Sequence, residues 1–385
     1  MIHKNIKLLT WFNFFSDFKL YAPVAIIYFT RVSGSFALGM SVFSIAMVSS
    51  ALFELPTGIF SDYIGRRKTI ILGALAAVFC TIFYAIGGYY WILVIGAIIE
   101  GLSGSFYSGN NDAFLHDTLV EEKNEHQYDE FLGRVSKMFQ VALGISAILG
   151  SVLASWSFSL IMWLSVIPQI ICVYLSFKMK DTKIKSSKTG NIYNHIKNAS
   201  IQFVKNYKLR LLSISSILTY GIGEACYQFQ SAFYNTLWPL WSIGFAKSLS
   251  NIGAAISFHY GGRFIKKFGL IQAMLASNIY NRTINIIATF FPTIISPLLM
   301  ASSSLFFGVS TVAKSTLFQK EFSNEQRATM GSLNSLAGSL FFGIISLSIG
   351  LVADKISPAI ALFSANIILL ISLWLYWKIY KIKAI

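Results

Sequence analysis

Runs of 18 or more apolar residues recur from one end of this chain to the other. Each is long enough to cross the hydrocarbon core of a bilayer, which is about 30 Å thick. Hydrocarbon offers no partner to a backbone N–H or C=O, so only helices and closed barrels can span it. Barrel strands alternate polar and apolar residues over about 10 positions. The runs here are unbroken over roughly twice that length, which points to helices. Composition agrees: 12% of the 385 residues are charged and 55% are hydrophobic. A soluble chain carries about 25% charged residues.

The runs resolve into twelve expected spans, at 8–30, 36–59, 69–88, 90–116, 132–154, 157–178, 209–232, 239–261, 269–291, 293–318, 329–353 and 357–379. An even number puts both termini on one side. Of the 31 Lys and Arg residues, 25 fall on that side, and only Arg31, Lys247 and Lys355 on the other. Lys19, Arg282 and Lys314 fall within spans. The bias predicts cytoplasmic termini and a multi-pass protein of the inner (plasma) membrane. The formal charge of +15 is therefore spread over short loops. Its expected partner is the anionic inner leaflet, not nucleic acid. Lys4 and Lys7 precede an apolar stretch that runs past Pro23 to Phe29 without a small-residue cleavage site, so a retained first span is expected. Cys80, Cys172 and Cys226 lie in apolar runs with no CxxC spacing and no histidine companion. They read as small buried hydrophobes, and neither a metal site nor a disulfide is expected.

The longest polar stretch, 179–208, divides six spans from six. Lys180, Lys183, Lys185 and Lys188 stand there beside Ser186, Ser187 and Gly190. The expected domains are an N-terminal six-helix bundle over 1–178, a basic cytoplasmic linker over 179–208, and a C-terminal six-helix bundle over 209–385. The stretch from Ile192 to Tyr207 is weakly amphipathic and fits either a leaflet-bound helix or a solvated loop. A shift of 204 residues superposes Gly58 on Gly262, Gly65 on Gly269, Gly104 on Gly308, Phe114 on Phe318, and Asp117 on Glu321. One offset serving two helix pairs marks the halves as repeats. The expected fold class is an all-α membrane protein, with twelve transmembrane helices in two six-helix repeats around a central cavity.

Between spans two and three stands Gly58-Ile59-Phe60-Ser61-Asp62-Tyr63-Ile64-Gly65-Arg66-Arg67-Lys68. This resembles the loop signature of the major facilitator superfamily: glycine, three residues, aspartate, two residues, glycine, then basic residues. In that family the loop gates the cycle by latching the halves in the outward-open state. Chemically, Gly58 is expected to let helix backbones approach. Asp62 is suited to accept from a helix N-terminus or to pair with an arginine. Gly65 suits a turn of positive φ, and Arg66, Arg67 and Lys68 anchor the loop to the inner face. The second copy keeps Gly262 and Gly269 but has Lys266 in place of Asp62. Two departures from the drug-exporting branch stand out. Ala97 occupies the place of an arginine four residues before Gly101, and Ala147 replaces a proline in span five. Small residues at Ala142, Ser146 and Gly150 still suit close packing of that span.

A charge at the bilayer centre costs about 2.5–3.5 kcal/mol on insertion scales, so each calls for a reason. The acids are Asp17, Glu54, Glu100, Asp112 and Glu224; the bases singled out are Arg282 and Lys314. The resemblance implies a cavity lined by spans one, four, seven and ten, which carry Asp17, Glu100 with Asp112, Glu224, and Lys314. Lys314 is the candidate for an anionic substrate group. Glu224, after Gly221 and Gly223, is a candidate proton carrier, and so is Asp17. Asp112 and His116 share a helix face. Glu54, close to Pro56, belongs with the gating loop. A structural ion pair or a snorkelling side chain is the competing reading for each. If the groups share one cavity, it is bipolar, with acids mainly from the first half and bases from the second.

No GxxxxGK[ST], HExxH or GxSxG pattern is found, so neither an ATP-driven pump nor an enzyme is expected, and no catalytic residue, metal or cofactor. The expected function is secondary active transport of a small organic solute by alternating access. Proton-coupled export of an amphiphilic or charged compound leads. Proton-coupled uptake of a charged nutrient is the alternative, and a non-transporting sensor or scaffold the third. The expected partners are the substrate, protons and the lipid bilayer, and the expected state is a monomer.

Overall fold

The computed structural model describes residues 4–181, 206–321 and 327–384, and they are helical, with no strand among them. Most of the amphipathic stretch before Tyr207 lies outside the described residues. Helices α1 (Lys4–Asp17), α2 (Ala25–Ser33), α3 (Phe36–Ile64), α4 (Arg66–Ile86), α5 (Tyr90–Tyr107), α6 (Asn110–Glu121), α7 (Tyr128–Ala154) and α8 (Phe158–Lys178) come from the first half. The second half supplies α9 (Tyr207–Tyr234), α10 (Ile243–Phe268), α11 (Leu270–Phe290), α12 (Ser296–Ser302), α13 (Phe307–Glu321), α14 (Arg327–Lys355), α15 (Pro358–Ile368) and α16 (Leu370–Ala384). Among the described residues, eight segments are long and apolar enough to cross a membrane. Helix starts follow local chemistry. Ser35, Ser157, Asn206 and Ser357 each accept a hydrogen bond from the backbone N–H three residues on, filling a donor the helix leaves open.

Four expected spans are interrupted, the twelfth at Leu369 between α15 and α16. The first breaks after Asp17 and resumes as α2. The fourth breaks at Ser108–Gly109, where Gly109 adopts φ +67°, so Asp112 lies in the first turn of a separate helix and is exposed. The tenth passes from α12 through a 3-10 turn over Ser303–Phe306 into α13.

By contacts the chain forms two units: Met1–Ser187 with Pro239–Ser248, and Lys188–Trp238 with Leu249–Ile385. Within the first, α3 and α4 pack on α5, α4 on α8, and α1 on α7 and α8. Within the second, α9 packs on α14 and α16, and α11 on α13 and α15. An apolar cluster anchors each: Phe12, Ile70, Phe114 and Leu119 in one, Leu212, Met274, Leu317 and Tyr376 in the other.

The repeat shows in the backbone. Gly65 joins α3 to α4 at φ +96°, ψ 153°; Gly269, 204 residues later, joins α10 to α11 at φ +87°, ψ 155°. The bonding repeats as well. Gly65 N–H donates to Ser61 O (3.0 Å) and its carbonyl accepts from Thr69 N–H (3.2 Å). Gly269 bonds Ile265 O (2.9 Å) and Ala273 N–H (3.0 Å) in the same way. This region of φ/ψ is essentially glycine-only. Gly308 lies against the backbone of Ser257 and Phe258, and Gly101 against Ala46 and Ser50, so spans four and ten each meet their partner through a glycine. Gly58 does not act this way. A Cβ built on it meets nothing within 4 Å, so the close approach expected of it is absent from this structure.

Gly65→Ala and Gly269→Ala should each destabilise their unit by about 1–3 kcal/mol, read as a lowered thermal midpoint of purified protein. Gly58→Ala should leave it unchanged or raise it.

Candidate functional site

The first span breaks where its chemistry is densest. Helix α1 ends at Asp17, a turn follows through Phe18–Tyr21, and Ala22–Val24 forms a 3-10 turn before α2 begins. Pro23 lacks an N–H, which suits the first turn of the restarted helix. Carbonyls freed at the end of α1 need partners inside a membrane. Gln169 of α8, fully buried, donates to Phe15 O and Ser16 O (both 3.3 Å), and the Cys172 thiol lies 3.5 Å from Phe12 O. Gly150 of α7 lies against the Leu20 carbonyl, where a Cβ would overlap it. The small-residue row on span five therefore seats the break. On the same helix, Gly144 O accepts from Ser248 Oγ (2.8 Å), and Ala147 O lies against Gly244.

The break presents Lys19 to span four. Lys19 Nζ bonds Glu100 Oε1 at 2.9 Å, and Tyr84 Oη donates to Glu100 Oε2 at 2.8 Å. Tyr21 packs edge-on against Tyr84, with ring centroids 5.8 Å apart. The Asp17 carboxylate makes no hydrogen bond or ion pair among the described residues, but it lies within electrostatic reach of Lys19. The first unit thus holds an acid–base–acid array, Asp17, Lys19 and Glu100, at a discontinuous helix. Broken spans of this kind carry binding sites in transporters, because the irregular backbone is tolerated where it lines a site. Lys19, Tyr84 and Gln169 were not among the sequence candidates. The available signal is Lys19 itself, two residues from Asp17 and four before Pro23.

Asp112 stands apart from this array, and His116 faces Asp117 (3.7 Å) with no bond to Asp112. In the second unit the candidates are dispersed. Glu224 accepts from Gln228 Nε2 (2.8 Å), one turn on. Lys314, half-buried in α13, has no ion pair among the described residues. Arg282 is buried in α11 and bonds Asn366 Oδ1 at 3.4 Å. It belongs to a polar row, Ser277, Asn278, Asn281, Arg282, Asn285 and Thr289, of which the sequence candidates included Arg282 alone although the helical spacing is legible.

The loop from Gly58 to Lys68 is tied into the first unit. Arg66 Nη1 donates to Ser61 Oγ (3.0 Å), Ser61 Oγ to Asn110 Oδ1 (2.7 Å), and Asn110 Nδ2 returns to Arg66 O (3.1 Å). Arg66 also approaches Asp117 (3.9 Å). Arg67 donates to Phe177 O (2.9 Å) and approaches Asp181 (3.9 Å). Lys68 is exposed in the first turn of α4. The side chain of Asp62 lies outside the described residues. Ser108 donates to Glu54 (3.2 Å) at the same end.

The model of the Major Facilitator Superfamily matches residues 8–346, and the chain belongs to that superfamily. An uncharacterised MFS-type transporter, YxaM of Bacillus subtilis, is 23% identical over 94% of this chain and 92% of its own length. A Na(+), Li(+), K(+)/H(+) antiporter of Planococcus maritimus is 24% identical, over 54% of this chain and 50% of its own. Other relatives are matched over less than half of their length, 41% in one and 43% in another. The crystal structure of the nucleoside transporter NupG shares the fold, with a TM-score of 0.80 over 98% of this chain and 99% of that one, at 13% identity. The protein is a membrane-embedded, multi-pass secondary transporter of the twelve-helix, two-repeat architecture, and not an enzyme.

Breaking the Lys19–Glu100 pair should leave one charge poorly solvated. Lys19→Met and Glu100→Gln should each lower the thermal midpoint, and the double variant should recover part of the loss. The coupling, about 0.5–3 kcal/mol for residues in contact, is read from the double-mutant cycle.

Proposed function

We propose that the chain carries a small charged or amphiphilic organic compound by alternating access, in exchange for protons, with export as the working direction. The observation that carries this reading is Lys19 bonded to Glu100 at the break of the first span, with Asp17 two residues away in the chain. A proton arriving at the Glu100 carboxylate removes its charge and with it the attraction that holds Lys19. The freed ammonium then serves Asp17 or an anionic group of the substrate. One base thus links proton occupancy to substrate occupancy, the requirement for coupling. Within the second unit, Lys314, with no acid of its own among the described residues, is a candidate cation for an anionic group, and Glu224 is an acid near Tyr220 and Tyr227. The partial likeness to a cation/proton antiporter supports exchange with protons. The loop over Gly58, Asp62, Gly65, Arg66, Arg67 and Lys68 gates the cycle. The division at the basic linker 179–208, the cytoplasmic termini and the inner-membrane location belong to the same reading.

In proteoliposomes screened against a compound panel, an imposed pH gradient should accelerate movement of the substrate. Glu100→Gln should lose that acceleration but keep substrate counterflow. Lys314→Gln should weaken apparent affinity about tenfold or more, the cost of one charged hydrogen bond. Wild-type pH dependence in both Glu100→Gln and Asp17→Asn would set the coupling scheme aside.

The orientation has its own test. The three native cysteines are buried. Cysteines introduced at Tyr63 and Ile356, which are 92% and 63% exposed, should react with an impermeant maleimide from opposite sides. Tyr63→Cys should label from the cytoplasm. Labelling of both from one side refutes the topology.

A further inference from the structure

Arg282 is the deepest base of the second unit among the described residues, 7% exposed on α11. A guanidinium keeps its proton and presents five N–H donors with no acceptor. Here its Nε is buried without a hydrogen-bond partner, and its one bond among the described residues is the long contact to Asn366 Oδ1 (3.4 Å). Asn366 Nδ2 is committed to Leu362 O (2.9 Å), which turns the amide oxygen towards the arginine. Among the described residues no carboxylate lies within electrostatic reach; the polar neighbours are the Cys226 thiol of α9 and the Tyr376 hydroxyl of α16. All three neighbours are themselves buried. A buried charge of this kind is normally paired, because leaving it unpaired forfeits its hydration.

The neighbours say what kind of partner is missing. Neither thiol nor hydroxyl is an anion, and both are donors, as is the free Nε–H. The surroundings therefore present a positive charge with no anion among the described residues, and hydrogens on the thiol, the hydroxyl and Nε that an anion can accept. Met274 and Tyr376 belong to the apolar cluster of this unit, and Ala225, Ala288 and Leu362 are buried on α9, α11 and α15, which leaves little room. We infer that Arg282, with Cys226 and Tyr376, forms a binding site for a small inorganic anion of the halide class inside the second unit. The anion neutralises the guanidinium and occupies the unpartnered Nε–H, and through these it joins α9, α11 and α16. The site is separate from the Lys19 array and is tested without transport, so its failure leaves the transport reading untouched, and the converse holds too.

The test is thermal unfolding of the purified full chain in detergent at constant ionic strength. Sodium chloride is exchanged stepwise for sodium gluconate, with bromide and formate as further arms. Chloride and bromide should raise the midpoint saturably, as a ligand that binds the folded state does, and gluconate should not. Arg282→Gln should abolish the rise. Arg282→Lys, which keeps the charge but lacks Nε, should shift half-saturation at least about tenfold upward, the equivalent of one charged hydrogen bond. An identical midpoint in chloride and gluconate for the wild-type protein overturns the proposal, whether or not the variants fold. A rise with formate alone overturns the halide assignment, and an unchanged chloride response in Arg282→Gln overturns the site.

Discussion

A helix interrupted inside a membrane exposes carbonyl groups that hydrocarbon cannot satisfy, and the first unit is arranged around meeting that demand at Asp17–Val24. Gln169 turns its amide to the end of α1. Gly150 gives up its side chain so that α7 can lie against the Leu20 carbonyl. Pro23 removes one donor that would otherwise need a partner. Helices α7 and α8 are thus fixed to the first span by the chemistry of its break. The break in turn frees Lys19 from a helical rotamer pattern and lets it reach Glu100 on span four. The cost of the irregular backbone is repaid in position: a base from the first span meets an acid of the fourth.

The same reasoning separates what hydropathy can reveal from what it cannot. Apolar runs, basic loops and the 204-residue offset are properties of composition and spacing, and they led to the helical class and the repeat, while the motif from Gly58 to Lys68 led to the family. The glycine at 65 was legible because only a special backbone conformation calls for it beside a helix end, and Gly269 repeats that conformation. The breaks in spans one, four, ten and twelve were not legible. An apolar run has the same composition whether its helix is continuous or interrupted, and Pro23 alone suits a helix start as well as a kink. Glu100 was visible as a charge that needs a reason, but its reason, Lys19, lies 81 residues away, and Tyr84 16 residues away. The helix break before Asp112 was likewise hidden, since Gly109 ends one helix and starts another there.

The loop from Gly58 to Lys68 shows how a motif and its setting divide the labour. Three of its residues act through partners that the motif does not contain: Ser61 and Arg66 through Asn110 and Asp117, and Arg67 through Phe177 O and Asp181. The basic residues therefore do more than set topology, since two of them tie the ends of spans four and six to the start of span three. A purely topogenic loop would need only their charge, which Lys68, exposed beside them, supplies.

The two units solve the problem of buried charge differently. In the first, the base and the acid satisfy one another, so the array is neutral as a pair and Asp17 alone is left over. In the second, the bases Arg282 and Lys314 have no acid among the described residues, and the polar row of α11 offers amides and hydroxyls that stabilise charge without cancelling it. Two repeats of one bundle need not share this arrangement, because the repeat is held by glycines at helix junctions and crossings, and those place backbone and not charge. Side-chain chemistry was thus free to diverge on a fixed frame. A self-neutralised site suits a group that exchanges protons, since adding a proton breaks an existing bond. An excess of positive charge suits a site that waits for an anion, since nothing described inside the unit competes for it.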